Sequence, residues 1–157
     1  MKAATGVVLL QHWSRSPIAL MPPIAAEEIK LFEQEYSVRL PDEIRDYYLA
    51  ANGFAPPDDQ DENGFSFWPL SRVCPVATFD GGCWSSAGTE DCFLFADYLS
   101  LSWGYAFYAR LGSVRTRVCI VGTADRRPIW IADGFREFVD LYIDGDERLY
   151  SVNEPRL

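Results

Sequence analysis

The stretch Leu40-Pro-Asp-Glu-Ile-Arg-Asp-Tyr-Tyr-Leu-Ala-Ala-Asn-Gly53 constrains this chain more than any other. Pro41 has no N–H to give, which suits the first turn of a helix. Asp42 and Glu43 follow it and complement the positive helix N-terminus. Ile44, Tyr47, Tyr48 and Ala51 fall at helical spacing and build one apolar face. Gly53, after Asn52, can take the left-handed conformation that closes a helix. The segment predicts a short helix with a hard start, a hard stop and one face committed to a core.

The rest of the chain arranges itself around that helix. Residues 1–23 give no regular signal and read as an irregular lead that ends at Pro22-Pro23. From Ile24 to Tyr36 the spacing of Ile29, Phe32 and Tyr36 predicts a first helix. Residues 55–64 form a polar loop, and Phe65–Leu70 reads as a short strand ended near Pro69. Arg72–Phe79 fits a helical turn or a strand, and Asp80–Glu90 is a Gly/Ser-rich loop. Cys92–Leu101 and Ser102–Ala109 read as aromatic-rich strands joined by a turn or bulge. Val118–Val121 and Ile129–Ala132 read as two more. A final helix starts at Asp133-Gly134, with Phe135, Phe138, Val139 and Tyr142 on one face, and stops at Gly145. The expected fold is α+β: two N-terminal helices, an antiparallel sheet of about four to six strands, and a C-terminal helix packed on the sheet.

Length and composition bound what such a fold can do. The 157 residues suit one domain, expected to span 1–157, and ten Phe, eight Tyr and five Trp supply a large buried area. The net charge of -9 repels phosphate backbones and anionic lipid, so nucleic acid and membrane are not expected partners. A basic protein partner is favoured, although plain solubility accounts for the charge equally well. The apolar run Val7–Leu10 is short and lacks a clean cleavage site, so no secretory leader is expected. Cys74, Cys83, Cys92 and Cys119 lack the close pairing of a zinc site, and they read as reduced thiols of a cytoplasmic protein.

Candidate chemistry is sparse. Asp59-Gln-Asp-Glu-Asn-Gly64 matches the first half of a calcium loop, but the position for the closing bidentate Glu is Leu70. A solvated acidic loop is the simpler reading, and no metal or cofactor is expected. His12 is the only histidine, so Cys–His catalysis would require it to reach a cysteine. Arg110, Arg115, Arg117, Arg126 and Arg127 cluster in one stretch, where they more simply balance the acids around them than hold an anion. Trp68 and Trp103 read as core residues. Trp84 lies in a loop, where an exposed indole suits an interface anchor.

Several segments in this order resemble one family. Glu28-Ile-Lys-Leu-Phe-Glu-Gln-Glu-Tyr36, then Leu40-Pro41 to Asn52-Gly53, is similar to the opening signature of the SUKH superfamily. That group includes the yeast Smi/Knr cell-wall synthesis regulator and many bacterial toxin-immunity proteins. Phe65–Leu70, Phe93-Leu-Phe-Ala-Asp-Tyr98, Trp103-Gly-Tyr-Ala106 and Ile131-Ala-Asp-Gly-Phe-Arg-Glu-Phe138 resemble its later segments. The resemblance covers about residues 24–145. Gly134 departs from it, since family members commonly carry Ser there, and the helix cap is expected to be weaker.

The resemblance implies a non-enzymatic protein-binding domain, with no catalytic residues. It implies an immunity protein that masks a co-encoded toxin, and the acidic charge fits a basic nuclease-type target. A regulatory scaffold for a housekeeping partner is the alternative, and a Cys-dependent hydrolase the third reading. Contact residues do not transfer across the family. The residues expected to touch the partner are therefore those placed on loops: Asp58, Asp59, Asp61, Glu62 and Trp84.

Overall fold

The computed structural model describes residues 4–56, 59–110, 116–124 and 127–150. Three helices come first: α1 (Thr5–Trp13), α2 (Ala26–Tyr36) and α3 (Asp42–Ala50). Six strands follow: β1 (Phe65–Phe67), β2 (Cys74–Pro75), β3 (Cys92–Tyr98), β4 (Trp103–Tyr108), β5 (Val118–Val121) and β6 (Ile129–Ala132). Helix α4 (Phe135–Asp144) closes the set, and short 3-10 turns occupy Phe79–Gly82 and Glu147–Leu149. The α+β expectation is borne out, with one helix more than expected.

That extra helix is α1, inside the lead that reads as irregular. Its start carries no side-chain cap and no acid in the first turn, so the usual sequence signals are missing. Tertiary packing holds it instead. Leu9 and Trp13 are buried, and Gly6 lies so close to α3 that a Cβ on it would sit 2.6 Å from the Ala50 Cβ. The indole of Trp13 meets the rings of Phe54 and Phe67 edge-on, at 5.0 and 5.1 Å between centroids.

The sheet is antiparallel in the order β1-β3-β4-β5-β6, and β2 also pairs with β3. Sequential pairing from β3 to β6 forms the expected meander. The undecided stretch from Arg72 to Phe79 resolves into the short strand β2 and the lead into the turn at Phe79. Alternation along β3 sends Phe93 and Phe95 to one face and Cys92 and Leu94 to the other. The first face carries Phe65, Phe67, Tyr105, Phe107 and Ile120, and the helices cover it. The opposite face carries Trp68, Val76, Cys119 and Val121, and the segment with Phe79 and Trp84 packs over it.

The Leu40–Gly53 segment forms its helix, but Gly53 does a different task from the one expected. Helix α3 ends at Ala50, and Ala51 is already extended. Gly53 has φ +73°, and a Cβ there would lie 2.6 Å from the Phe67 carbonyl oxygen and 2.7 Å from the Pro69 nitrogen. It is the point where the chain leaving α3 crosses the end of β1. Asn52, also buried, accepts the Leu70 N–H on its side-chain oxygen at 2.8 Å. Asn-Gly thus locks the helix to the sheet.

Helix α4 shows what replaces the missing Ser. Gly134 precedes its first turn with no side-chain cap. Glu43 of α3 supplies one, accepting the N–H groups of Phe135 at 2.8 Å and Arg136 at 3.3 Å on one oxygen. Glu137 reaches back to accept the Asp133 N–H at 3.0 Å. At the other end Gly145 is left-handed, with φ +65°, as the sequence predicts.

Candidate functional site

Loops gather at the end of the sheet where β1 and β4 begin and β3 and β5 finish. The acidic loop enters β1, the turn Leu99–Ser102 joins β3 to β4, and Gly122 follows β5. The structure places Asp59, Asp61, Glu62 and Trp84 around this end, and it separates the acids from Trp84.

Asp61 shapes the acidic loop. One of its carboxylate oxygens accepts the N–H groups of Asn63 at 2.9 Å and Phe65 at 3.0 Å. The other accepts the Tyr142 hydroxyl of α4 at 2.5 Å. That hydroxyl in turn accepts the indole N–H of Trp13 at 3.0 Å. Three segments distant in sequence meet at one phenol. Burial raises the Tyr142 pKa far above the usual phenol value, and the adjacent Asp61 charge adds to it. Both Asp61 oxygens are thus engaged within the protein. Among the described residues no group of three or more His, Cys, Asp or Glu side chains could hold a metal ion.

The neighbours of Asp61 face outward. Glu62 is exposed and Asp59 half-buried, while Asp58 lies outside the described residues. Gln60 donates to the Ser100 hydroxyl at 2.8 Å and ties the acidic loop to the β3–β4 turn. The sequence predicts a turn or bulge between the two strands, but it places Leu99, Ser100 and Leu101 in the strand before it, whereas β3 ends at Tyr98. Leu99, Ser100 and Leu101 have φ of +46°, +53° and +70°, a backbone that side-chain-bearing residues rarely adopt. Leu99 is 51% exposed and Leu101 40% exposed. No Gly, Pro or Asn stands between Tyr98 and Trp103, so ordinary turn chemistry does not mark where the turn starts.

Buried Asp97 organises the base of that turn. Its carboxylate accepts the Leu101 N–H at 3.0 Å and the Trp68 indole N–H at 2.7 Å. Ser102 donates its hydroxyl to the Leu99 carbonyl at 2.9 Å, and Leu99 donates its N–H to the Gly64 carbonyl at 2.9 Å. The turn is therefore fixed at both ends.

Trp84 lies on the opposite face of the sheet from the Asp61–Tyr142 contact. It is half-buried, 4.8 Å from Phe79 between ring centroids. Its ring covers Gly104 and Gly122, and a Cβ on Gly122, already at φ +83°, would come within 2.5 Å of it. Cys83, Trp84, Ser85, Gly122, Thr123 and Ala124 line a recess of about 300 Å³. The structure thus does not bring Trp84 beside the acids. Trp68 is buried as expected, and Trp103 is partly buried, donating to the Tyr105 hydroxyl at 3.0 Å.

No Cys–His pair forms among the described residues. His12 packs against Tyr142 on the helix-covered face, at 5.4 Å between centroids. Cys74, Cys92 and Cys119 belong to the other face, and exposed Cys83 lies beside Trp84. Burial pushes the Cys74 thiol above its usual pKa, and the Cys83 thiol is raised as well, beside Asp80. Such thiols are poor nucleophiles at neutral pH. Of the arginine cluster, Arg117 stacks on Trp130 at 4.1 Å, whereas Arg115 and Arg126 lie outside the described residues. No described helix is long and apolar enough to cross a membrane.

Residues 23–141 match the model of the SMI1 / KNR4 family (SUKH-1). No curated protein matches the chain closely enough to count as a relative.

Proposed function

The chain belongs to the SMI1 / KNR4 family (SUKH-1), and from that premise we propose that it is a non-enzymatic protein-binding domain, the immunity protein of a cognate basic toxin. The family match over residues 23–141 carries this reading. The charge of -9 supports a cationic target, since opposite fields speed encounter. His12 and the described cysteines lie on opposite faces of the sheet, which supports a role without chemistry. The mechanism is stoichiometric masking: the immunity protein covers the toxin's active cleft and excludes its substrate.

Within this proposal Asp58, Asp59 and Glu62 supply charge to the contact, and Asp61 holds the loop that presents them. Trp84 is the contact on the opposite face. The test is a pull-down and growth-rescue assay with the protein encoded immediately upstream. Stable binding together with rescue from its toxicity is the expected result. Failure of both would overturn the immunity reading and turn the search to a housekeeping partner.

A further inference from the structure

Two leucines at an exposed turn stand out once the core has been accounted for. The described residues hold five exposed large hydrophobics: Val7, Leu31, Leu49, Leu99 and Leu101. Two of the five lie within three residues, at the tip of the β3–β4 turn. The same three residues are successive non-glycine positions with left-handed backbone. Glycine or asparagine would hold that backbone with less strain. Leucine at either position therefore carries a backbone cost that its half-buried side chain offsets only in part. Strain maintained where each leucine still leaves two fifths or more of its surface in solvent is the pattern of a surface shaped for something outside the fold.

The turn is also tied down by hydrogen bonds. Its ends are held by the Asp97 carboxylate, the Ser102 hydroxyl and the Gly64 carbonyl, and its middle by Gln60. An apolar projection tied down in this way loses little conformational entropy when it is buried in a partner, which is what an interface anchor requires. The neighbouring charge identifies the occupant. Gln60 and Gly64 of the acidic loop both touch the turn, so this loop, with Asp59 before Gln60 and exposed Glu62 between the two contacts, lies beside the leucines. A second copy of this chain would bring acid against acid across that surface. A cationic surface with an apolar pocket complements both parts.

We propose that the Leu99-Ser100-Leu101 turn is the apolar anchor of the partner interface, and that it inserts into a pocket within a basic cleft of the partner protein. Asp59 and Glu62 steer the approach and the two leucines hold the bound state. The proposal rests on the protein-binding reading above and adds to it a contact that the sequence does not disclose.

The experiment uses the purified product of the upstream gene as the probe, with affinity and thermal unfolding measured on the same variants. The double variant Leu99→Asn/Leu101→Asn removes the anchor and relaxes the backbone. It is expected to weaken binding at least about tenfold, chiefly through faster dissociation, while Tm stays level or rises by about 2–4 °C. Leu99→Ala/Leu101→Ala keeps the strained backbone and is expected to weaken binding without a rise in Tm. Leu31→Ala, at a distant exposed leucine, is expected to change neither. Full affinity in both double variants, with wild type binding, overturns the anchor and leaves the immunity reading standing. No binding by wild type overturns both.

Discussion

At the scale of single residues, Gly53 and Asp61 set sharp limits. Gly53→Ala combines a left-handed backbone, worth about 1–2 kcal/mol, with overlap against the backbone of Phe67 to Pro69, worth about 1–3 kcal/mol. Urea unfolding should show a loss near the middle of that combined range, and a loss under about 0.5 kcal/mol would mean the crossing is looser than it looks. Asp61→Ala leaves the Asn63 and Phe65 N–H groups and the Tyr142 hydroxyl without their acceptor. A destabilisation of about 2–3 kcal/mol is expected for orphaned groups of this kind. Glu62→Ala, at an exposed position next to it, should change stability little. Equal effects from the two substitutions would contradict the assigned division of labour. Asp61 and Glu62 look interchangeable in the sequence because both are acids in a polar loop. Only the position of Tyr142 distinguishes them.

The buried phenols make a pH prediction at the same scale. Burial raises the pKa of Tyr47, Tyr48, Tyr105 and Tyr142 well above the usual value near 10. A raised pKa means the folded state keeps its proton when the unfolded state has lost it. The stabilising contribution is therefore full below about pH 10 and falls as the pH rises beyond it, by about 1.4 kcal/mol per pH unit for each phenol. Alkaline unfolding should be steep, with tyrosinate absorbance and loss of secondary structure rising together. Tyr142→Phe should make the slope shallower. Tyrosinate forming several pH units ahead of unfolding would show that these rings are reachable by solvent in the native state.

At the scale of elements, helix α4 depends on a cap from another helix. Glu43→Ala should destabilise by about 1–2 kcal/mol, the range measured for lost caps. Gly134 is extended, with φ -153°, and a Cβ there would clear the Glu43 oxygens at 3.7 Å or more. Gly134→Ser should therefore recover part of the loss in the Glu43→Ala background and add less to the wild type. Additive effects in the double-mutant cycle would mean that the two caps do not compete for the same N–H groups. Helix α1 makes a complementary case. It lies outside the matched residues 23–141 yet places Trp13 in the core and a donor on Tyr142. Trp13→Ala should cost about 3–5 kcal/mol, and a fragment trimmed to the matched residues should unfold at markedly lower temperature than the full chain. Helices α2, α3 and α4 and strands β3 to β6 were legible because each carries its own periodicity and punctuation. Helix α1 was not, because its apolar residues show no clear face and its ends lack caps.

At the scale of the whole molecule, the proposed complex depends on charge for encounter and on shape for residence. Reversing Asp59 and Glu62 to Lys should slow association with a basic partner by about tenfold at low salt and flatten its salt dependence. Dissociation should change little, in contrast to the leucine variants. Stopped-flow measurements over a range of ionic strength separate the two effects, and association unchanged by the reversals would remove the acidic loop from the encounter surface.

The sequence by itself determined the α+β class, the meander and the family, because hydrophobic period, Gly and Pro placement and motif order are local properties of the chain. It also placed the acids and Trp84 on loops. The tertiary structure decided which of these groups act together. Trp13 meets Tyr142 across 129 positions, Glu43 meets Phe135 across 92, and Asp61 meets Tyr142 across 81. It put Trp84 and the Asp61–Tyr142 contact on opposite faces of one sheet, and it held two leucines outward where the sequence shows only strand-like residues. Such pairings depend on how separate elements pack against one another, and no local pattern in the chain records that packing.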